Sequence, residues 1–587
     1  MRNPNPDEES NRFIYSESKW IRVVAGPGAG KSYCLKERLK HLVKTRVVKP
    51  EKILVLTFTS VAVQDLKKDI RDLGLGDIEV STLHTLALRI LAKEQKGLRL
   101  LLDFERDTML RDLEPEIGAT RAKKAMLKAR MSNKDYVAET EEEKRFEASL
   151  NIWLAEHRGM ILDDQIALAC RTLQENREIW RYEYVMVDEY QDLNPDEQAF
   201  VELLTAENGS LAVIGDDDQA IYEFKGAAPQ GIRDFARKHP GCEDIHFTVC
   251  RRCPPLVVEC ANKLIANNHN REDKVFTPIF ALPKGEEKDD TFRLMMSETP
   301  EEEIDRLCQM IKDRSDITPL GEVVVLTPVK SRGQKLFDAL QKKKVQAELC
   351  FRGAVFKDAV IRESVSLLRL LADPNDRISW RYLLGEEHDK RRALSYCRLR
   401  AYAQERNLDI LTVLENCDAG EIKIPYTYAL IKRYREITAL LEEIRKDPDK
   451  ILERLHDQNT QYAKILKEAK NREYSREGFA GVYRAVQIAA FSPESAVKSE
   501  GVRIMSLHAA KGLSAGMVII MSAVEELLPR VKGSSIEEQR RLFYVGITRC
   551  KRKEGQYPGK VLISAFKKSE DGEKDYTLSR FVGELGL

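Results

Sequence analysis

Residues 21–32 read IRVVAGPGAGKS. Ile21, Val23 and Val24 predict a short buried strand. A glycine-rich turn follows, then Lys31-Ser32. The next stretch, YCLKERLKHLV (33–43), carries Cys34, Leu35, Leu39 and Leu42 at helical spacing. Strand, glycine turn, Lys-Ser and helix is the context of a P-loop. Gly26, Gly28 and Gly30 let backbone N–H groups close around phosphate oxygens, and the helix N-terminus adds partial positive charge. Lys31 is expected to reach the β/γ-phosphates and Ser32 to ligate Mg²⁺. Ala25 stands where the strict pattern has its first glycine.

Working outward, residues 184–192 read YVMVDEYQD. An apolar strand ends abruptly in Asp188, Glu189 and Asp192, and unpaired buried charge is costly. Beside a P-loop the acids have a use. Asp188 is expected to hold Mg²⁺ next to Ser32, and Glu189 to be the base that activates the attacking water. Residues 211–227, LAVIGDDDQAIYEFKGA, repeat the design. An apolar strand leads to Gly215, three acids and Gln219, and a Gln there can sense the γ-phosphate and orient water. Tyr222 and Phe224 follow with Lys225 beside them, which suits stacking on the bases of a single strand.

The bulk numbers bound what surrounds this centre. A chain of 587 residues is too long for one core, so two to four domains are expected. Lys plus Arg total 96 and Asp plus Glu 95, leaving a net charge of +1. A protein that coats nucleic acid is usually more basic, so any nucleic-acid contact must come from a local track. No apolar run approaches ~18–20 residues, so no membrane helix is expected. The N-terminal MRNPNPDEESN is polar and acidic, unlike a secretory leader. Eleven cysteines without a secretory signal fit a reducing compartment, and a cytoplasmic location is expected. Cys242, Cys250, Cys253 and Cys260 could in principle hold a metal, but they contain only one CxxC pair and are read instead as part of a longer motif.

That motif belongs to an ordered series: AGPGAGKS (25–32), VLTFTSVAV (55–63), VSTLHTLALRIL (80–91), VMVDEYQDLN (185–194), VIGDDDQAIYEFKGA (213–227), CRRCP (250–254), RIMSLHAAKGL (503–513) and RRLFYVGITR (540–549). In this order the series resembles the UvrD/Rep/PcrA group of superfamily 1 DNA helicases, along nearly the whole chain. The resemblance implies an α/β fold with two RecA-like P-loop NTPase domains, parallel sheets flanked by helices, each with a helical insertion. Domain 1A would span 1–91 and 176–248, and its insertion 1B 92–175. Domain 2A would span 249–376 and 496–587, with a short 2B at 377–495. ATP and Mg²⁺ would lie between 1A and 2A, with single-stranded DNA across them. Arg252, counted back from Ala261-Asn262, resembles the family's γ-phosphate arginine, and Arg549 the second arginine reaching across from 2A. Thr57, Phe58, His84 and His508, with Tyr222 and Phe224, resemble the DNA-contacting residues. Lys511 and Gly512 complete the turn that carries His508.

Three departures touch the nucleoside end and leave the phosphate chemistry intact. NPDEES (5–10) puts Glu8 or Glu9 near the family's adenine-reading Gln. Arg251 replaces a stacking Tyr, and Ser514 replaces a Glu. A carboxylate accepts from the adenine amino group but cannot donate to the ring nitrogen, while an arginine plane can still stack. The basic run Arg121, Lys123, Lys124, Lys128 and Arg130 reads either as a DNA-facing stripe or as a solvated face. The resulting expectation is an ATP-dependent single-stranded DNA translocase and helicase of 3′→5′ polarity that also meets partly duplex DNA. The rival is a nucleotide-gated DNA-binding subunit of a nuclease or phage-defence complex, without unwinding of its own. A protein partner, such as a nuclease or a repair or defence factor, would then complete it.

Overall fold

The computed structural model describes residues 8–46, 48–95, 97–113, 117–132, 137–162, 164–175, 180–280, 291–313, 318–351, 358–385, 390–455, 461–491, 500–530, 535–553 and 558–587. The chain divides into two compact units. One joins residues 1–83, 176–352 and 493–587; the other joins 84–175 and 353–492.

The first unit holds two six-stranded sheets. The first sheet contains β1 (Trp20–Ala25), β2 (Ile53–Thr57), β3 (Glu79–Thr82), β4 (Tyr182–Val187), β5 (Thr205–Gly215) and β6 (Glu243–Phe247), in the order β3-β2-β4-β5-β1-β6. The second contains β7 (Phe292–Ser297), β8 (Val323–Thr327), β9 (Ala347–Leu349), β10 (Val502–Ser506), β11 (Met517–Ile520) and β12 (Lys560–Phe566), in the order β7-β12-β11-β8-β10-β9. Every pairing in both sheets is parallel. The reason is legible in ILVLT (53–57), VVVLT (323–327) and MVII (517–520), which are buried at every position. Strands covered on both faces have no polar side to alternate with, and helical crossovers supply both covers.

Parallel strands all end at one edge. Val24 pairs with Gly215, Val187 with Val213, and Leu56 with Val187. The loops after β1, β2, β4 and β5 therefore leave the first sheet side by side. That edge is where ligands bind in open α/β sheets.

The second unit is helical. Residues 84–175 and 353–492 share cores within it: Leu102 and Phe104 pack in one cluster with Leu367, Trp380 and Tyr396, and Ile378 packs with Trp153 and Phe146 in another. Buried ion pairs join the same two segments. The Arg99 guanidinium lies 2.6 Å from both Glu105 and Asp376. Arg381 grips Asp112, which also accepts from Trp153 Nε1 at 3.1 Å. Leaving one such charge unpaired costs about 3–5 kcal/mol, so the two segments behave as one body. The helix Ala359–Ala372, expected at the end of 2A, falls in this unit. Much of the basic run at 121–130 is committed to internal partners. Lys123 donates to the Leu113 carbonyl at 2.9 Å, Lys124 lies 2.8 Å from Asp107, and Arg130 bridges Glu147 and Asp164. For these three residues internal pairing replaces the DNA stripe, and Lys123 is buried rather than on a solvated face. No helix among the described residues is long and apolar enough to cross a membrane.

Candidate functional site

The phosphate loop joins β1 to the helix Lys31–Lys40. Gly28 and Gly30 sit at φ +67° and +91°, where a side chain is strained. Space is equally decisive: a Cβ on Gly28 would lie 2.5 Å from Arg252 Cβ, and one on Gly26 2.3 Å from the Phe276 ring. The loop is also bonded to that segment, because the Arg251 N–H donates to the Gly28 carbonyl at 2.9 Å. Lys31 Nζ donates to the Ala25 carbonyl at 3.2 Å and lies 3.5 Å from Glu189 Oε1.

Asp188 and Glu189 leave the end of β4 directly opposite. Glu189 adopts a left-handed backbone (φ +57°), which costs a non-glycine residue about 1–2 kcal/mol. Its carboxylate is then held from two sides. Gln191 Nε2 donates to Oε2 at 2.6 Å, and Lys511 Nζ lies 3.6 Å away. Burial acts to raise the Glu189 pKa, but Lys31 and Lys511 outweigh it and hold the group well below the usual carboxylate range. Asp188 shows the reverse: burial and the neighbouring Glu189 charge push it up to about 6. Burial likewise pushes Asp192 up to about 7 despite its bond to Lys511.

Gln219 joins this group to the second sheet. It ends the turn after β5, donates from Nε2 to Asp216 Oδ2 at 2.9 Å, and accepts on Oε1 from Arg549 Nη2 at 3.3 Å. Its carbonyl accepts from Lys511 Nζ at 2.7 Å. Arg549 is anchored by Nε to the Val545 carbonyl at 2.9 Å. Burial and the nearby Arg252 both pull its pKa down. Arg252 donates from Nη2 to the Thr548 carbonyl at 2.8 Å, while its buried Nε has no partner among the described residues.

This chemistry fits a nucleoside triphosphate with a divalent cation. Two crowded guanidinium groups, one with an orphaned N–H, are complementary to a polyanion. A glycine loop that admits no Cβ supplies backbone donors. Asp188 and the Ser32 hydroxyl are oxygen donors of the kind Mg²⁺ takes.

Next to it runs an aromatic ladder. Phe58 stacks on Tyr222 with centroids 5.0 Å apart and planes at 26°. Tyr222 and Phe224 flank His508 at 6.2 and 5.4 Å. The Tyr222 hydroxyl donates to the His508 carbonyl at 3.3 Å. Lys225 lies 5.0 Å from the Tyr222 ring and 5.6 Å from that of Phe224. Burial, Arg530 and Lys225 pull His508 down to about 4, so it is neutral near pH 7. Phe224 is 58% exposed and Phe58 36%, an unusual state for large apolar rings so close together.

The other two expected strand contacts are Thr57 and His84. Thr57 is buried and its hydroxyl donates to the Thr59 carbonyl at 3.2 Å, so only its backbone remains for a ligand. His84 lies in the helical unit, exposed, with its carbonyl accepting from Gln165 Nε2 at 2.6 Å. Glu9 is engaged by Arg12 at 2.9 Å. The four cysteines do not gather as metal ligands. Among the described residues, the group of three or more ligand atoms close enough to share an ion is Asp216, Asp217 and Asp218. Cys253 instead donates from its N–H to Cys250 Sγ at 3.5 Å and from Sγ to the Thr548 carbonyl at 3.3 Å, pinning the turn that carries Arg252. Sequence reasoning missed Gln191 and the reach of Lys511. The only signal for Gln191 was its place between Glu189 and Asp192 in the acidic cluster.

Comparison with known proteins agrees with this arrangement. The model of the UvrD-like helicase C-terminal domain matches residues 245–390 and 395–553, and that of an AAA domain matches residues 10–225. An ATP-dependent DNA helicase Rep from Buchnera aphidicola subsp. Schizaphis graminum is 25% identical, across 96% of this chain and 94% of that protein. ATP-dependent DNA helicases PcrA from Staphylococcus epidermidis and Staphylococcus aureus are each 23% identical, across 93% and 92% of this chain and 82% and 81% of theirs.

Proposed function

The chain belongs to the UvrD-like helicase family, and from that premise we propose that it is an ATP-dependent DNA helicase that steps 3′→5′ along a single strand. The observation that carries the reading is the loop 216–225. Its first half holds Gln219 against Arg549, and its second half, beginning three residues later, supplies Tyr222 and Phe224 to the aromatic ladder. Nucleotide chemistry and strand contact share ten residues of backbone, so a shift at one end is felt at the other.

In this reading Mg²⁺-bound ATP, when present, supplies the phosphoanhydride to be cleaved. Ser32 and Asp188 would hold the cation, and Lys31 with the Gly26–Gly30 backbone would hold the phosphates. Glu189, kept ionised by Lys31 and Lys511, takes the proton of the attacking water on its carboxylate. Gln191 fixes the direction in which that carboxylate faces. Arg252 and Arg549 donate to the oxygens that gain charge during transfer. Arg252 is packed against Gly28 of the phosphate loop, and Arg549 reaches the site through Gln219. Phe58, Tyr222, Phe224 and His508 stack on or pack against bases, the Thr57 backbone adds a contact, and the family resemblance adds His84. The division into 1A, 1B, 2A and 2B is retained as a functional one, with 1B and 2B acting together.

The test is strand separation by the purified protein on short duplexes with a single-stranded tail on either end. ATP-dependent opening of the 3′-tailed duplex, and not of the 5′-tailed one, is expected. Opening only from 5′ tails would reverse the polarity. No opening of either, with ATP hydrolysis intact, would move the protein to a nucleotide-gated binding subunit.

A further inference from the structure

The loop that carries Gln219 opens with three consecutive buried aspartates. One carboxylate oxygen from each of Asp216, Asp217 and Asp218 lies within 4.8 Å of the other two. Like charges this close cannot all stay ionised without a cation. Here the cation is part of the chain. Lys274 Nζ lies 3.1 Å from Asp216 Oδ1 and 3.1 Å from Asp218 Oδ2, and donates to Asp217 Oδ1. Its side chain is only 3% exposed. Arg271 clamps Asp218 with both prongs, at 2.9 and 2.7 Å, and the Glu272 N–H donates to Asp217 Oδ2 at 2.9 Å.

Lys274 and Arg271 arrive on a segment that also touches the phosphate loop, since Phe276 packs against Gly26. Asn262 ties this segment to the helix Pro255–Ile265: its Nδ2 donates to the Phe276 carbonyl at 2.8 Å, and its Oδ1 accepts the Phe276 N–H at 3.2 Å. Asp216 faces two ways. Its Oδ1 meets Lys274, and its Oδ2 accepts from Gln219 Nε2 at 2.9 Å. A single carboxylate therefore stands between the tethered cation and the glutamine that touches Arg549.

We propose that Lys274 is a positioning residue for ATP turnover: it fixes Asp216, which fixes Gln219 against Arg549, so the glutamine is set only while the segment 268–276 is docked. A diffusible metal ion would neutralise the same aspartates without reporting where that segment is. A lysine neutralises them and reports it. The inference rests on Gln219 acting at the γ-phosphate, as proposed above.

The test is a double-mutant cycle on the full chain: wild type, Gln219→Ala, Lys274→Met and the double variant. The readouts are kcat for ATP and the affinity of a fluorescent ATP analogue. Lys274→Met should lower kcat by up to ~10²-fold, the scale of a misplaced catalytic group, and leave nucleotide affinity nearly unchanged. The double variant should turn over no more slowly than Gln219→Ala. If the two losses multiply, Lys274 acts independently of Gln219 and the proposal is overturned. Normal turnover in folded Lys274→Met overturns it as well. Normal turnover in Gln219→Ala would instead remove the γ-phosphate reading of Gln219, and this inference with it. If Lys274→Met does not fold, Lys274→Met with Asp217→Asn keeps the net charge of the cluster and enters the same cycle.

Discussion

Arg549→Ala should bind ATP with nearly normal affinity and lose turnover by ~10³-fold or more, the range found for an arginine that stabilises charge on a transferring phosphoryl group. The side chain has the geometry for such an effect. It is buried and braced by the Val545 carbonyl, and its Nη2 already touches Gln219. Its own pKa is pulled down by burial and by Arg252, so it gains most from an anion that arrives late, as charge builds on the γ-phosphoryl oxygens. In the proposed reading ground-state binding rests on other groups, chiefly the loop backbone and Lys31. Arg549→Lys keeps a positive charge but loses the planar fork, and recovers only part of the rate. Steady-state hydrolysis paired with analogue binding separates the two effects. Turnover within a few-fold of wild type would take Arg549 out of the reaction.

Glu189→Gln should cost ~10²–10⁴ in turnover, the usual worth of a positioned general base, while ATP and strand binding persist. The substitution is close to isosteric, so a hydrogen bond with Gln191 can survive on the new amide. What disappears is a carboxylate that Lys31 and Lys511 keep ionised against burial. The variant also relieves Asp188 of a neighbouring charge that helps raise its pKa. Single-turnover hydrolysis is the cleaner measurement, because it isolates the chemical step from product release. An unchanged single-turnover rate would mean that another group takes the proton.

The strand ends were the most legible part of this chain. IRVVAGPGAGKS and YVMVDEYQD each show an apolar run ending in polar residues that a buried strand cannot tolerate without a ligand, and both runs became parallel strands opening on the same edge. Local text carries such information because strand, turn and helix start lie within about twelve residues of each other. The remaining determinants are distant in sequence. Lys511 meets Asp192 across 319 positions, and Arg549 meets Gln219 across 330. Nothing in the sequence marks Lys274, which the fold encloses among three aspartates. The shared core of the two helical segments was equally invisible. Arg99 and Asp376 are 277 residues apart, and nothing in either neighbourhood marks them as partners. The basic run at 121–130 stayed ambiguous for the opposite reason: charge density is local, but its acidic partners Asp107, Glu147 and Asp164 lie outside the run.

What unites these contacts is that the hydrolytic group and the aromatic ladder are built on the same loop. Gln219 is held by Asp216 and Arg549, and three residues on, Tyr222 is stacked on Phe58 and bonded to the His508 backbone. In the proposed reading a strand that displaces the ladder acts on Gln219, and nucleotide binding acts on the ladder. The most direct measurement of that coupling is ATP hydrolysis with and without single-stranded DNA across a Mg²⁺ titration. The expected result is a low basal rate that the strand raises many-fold at every Mg²⁺ concentration that supports turnover. Hydrolysis at the same rate with and without the strand would contradict the coupling, and with it the proposal that this site drives movement along DNA.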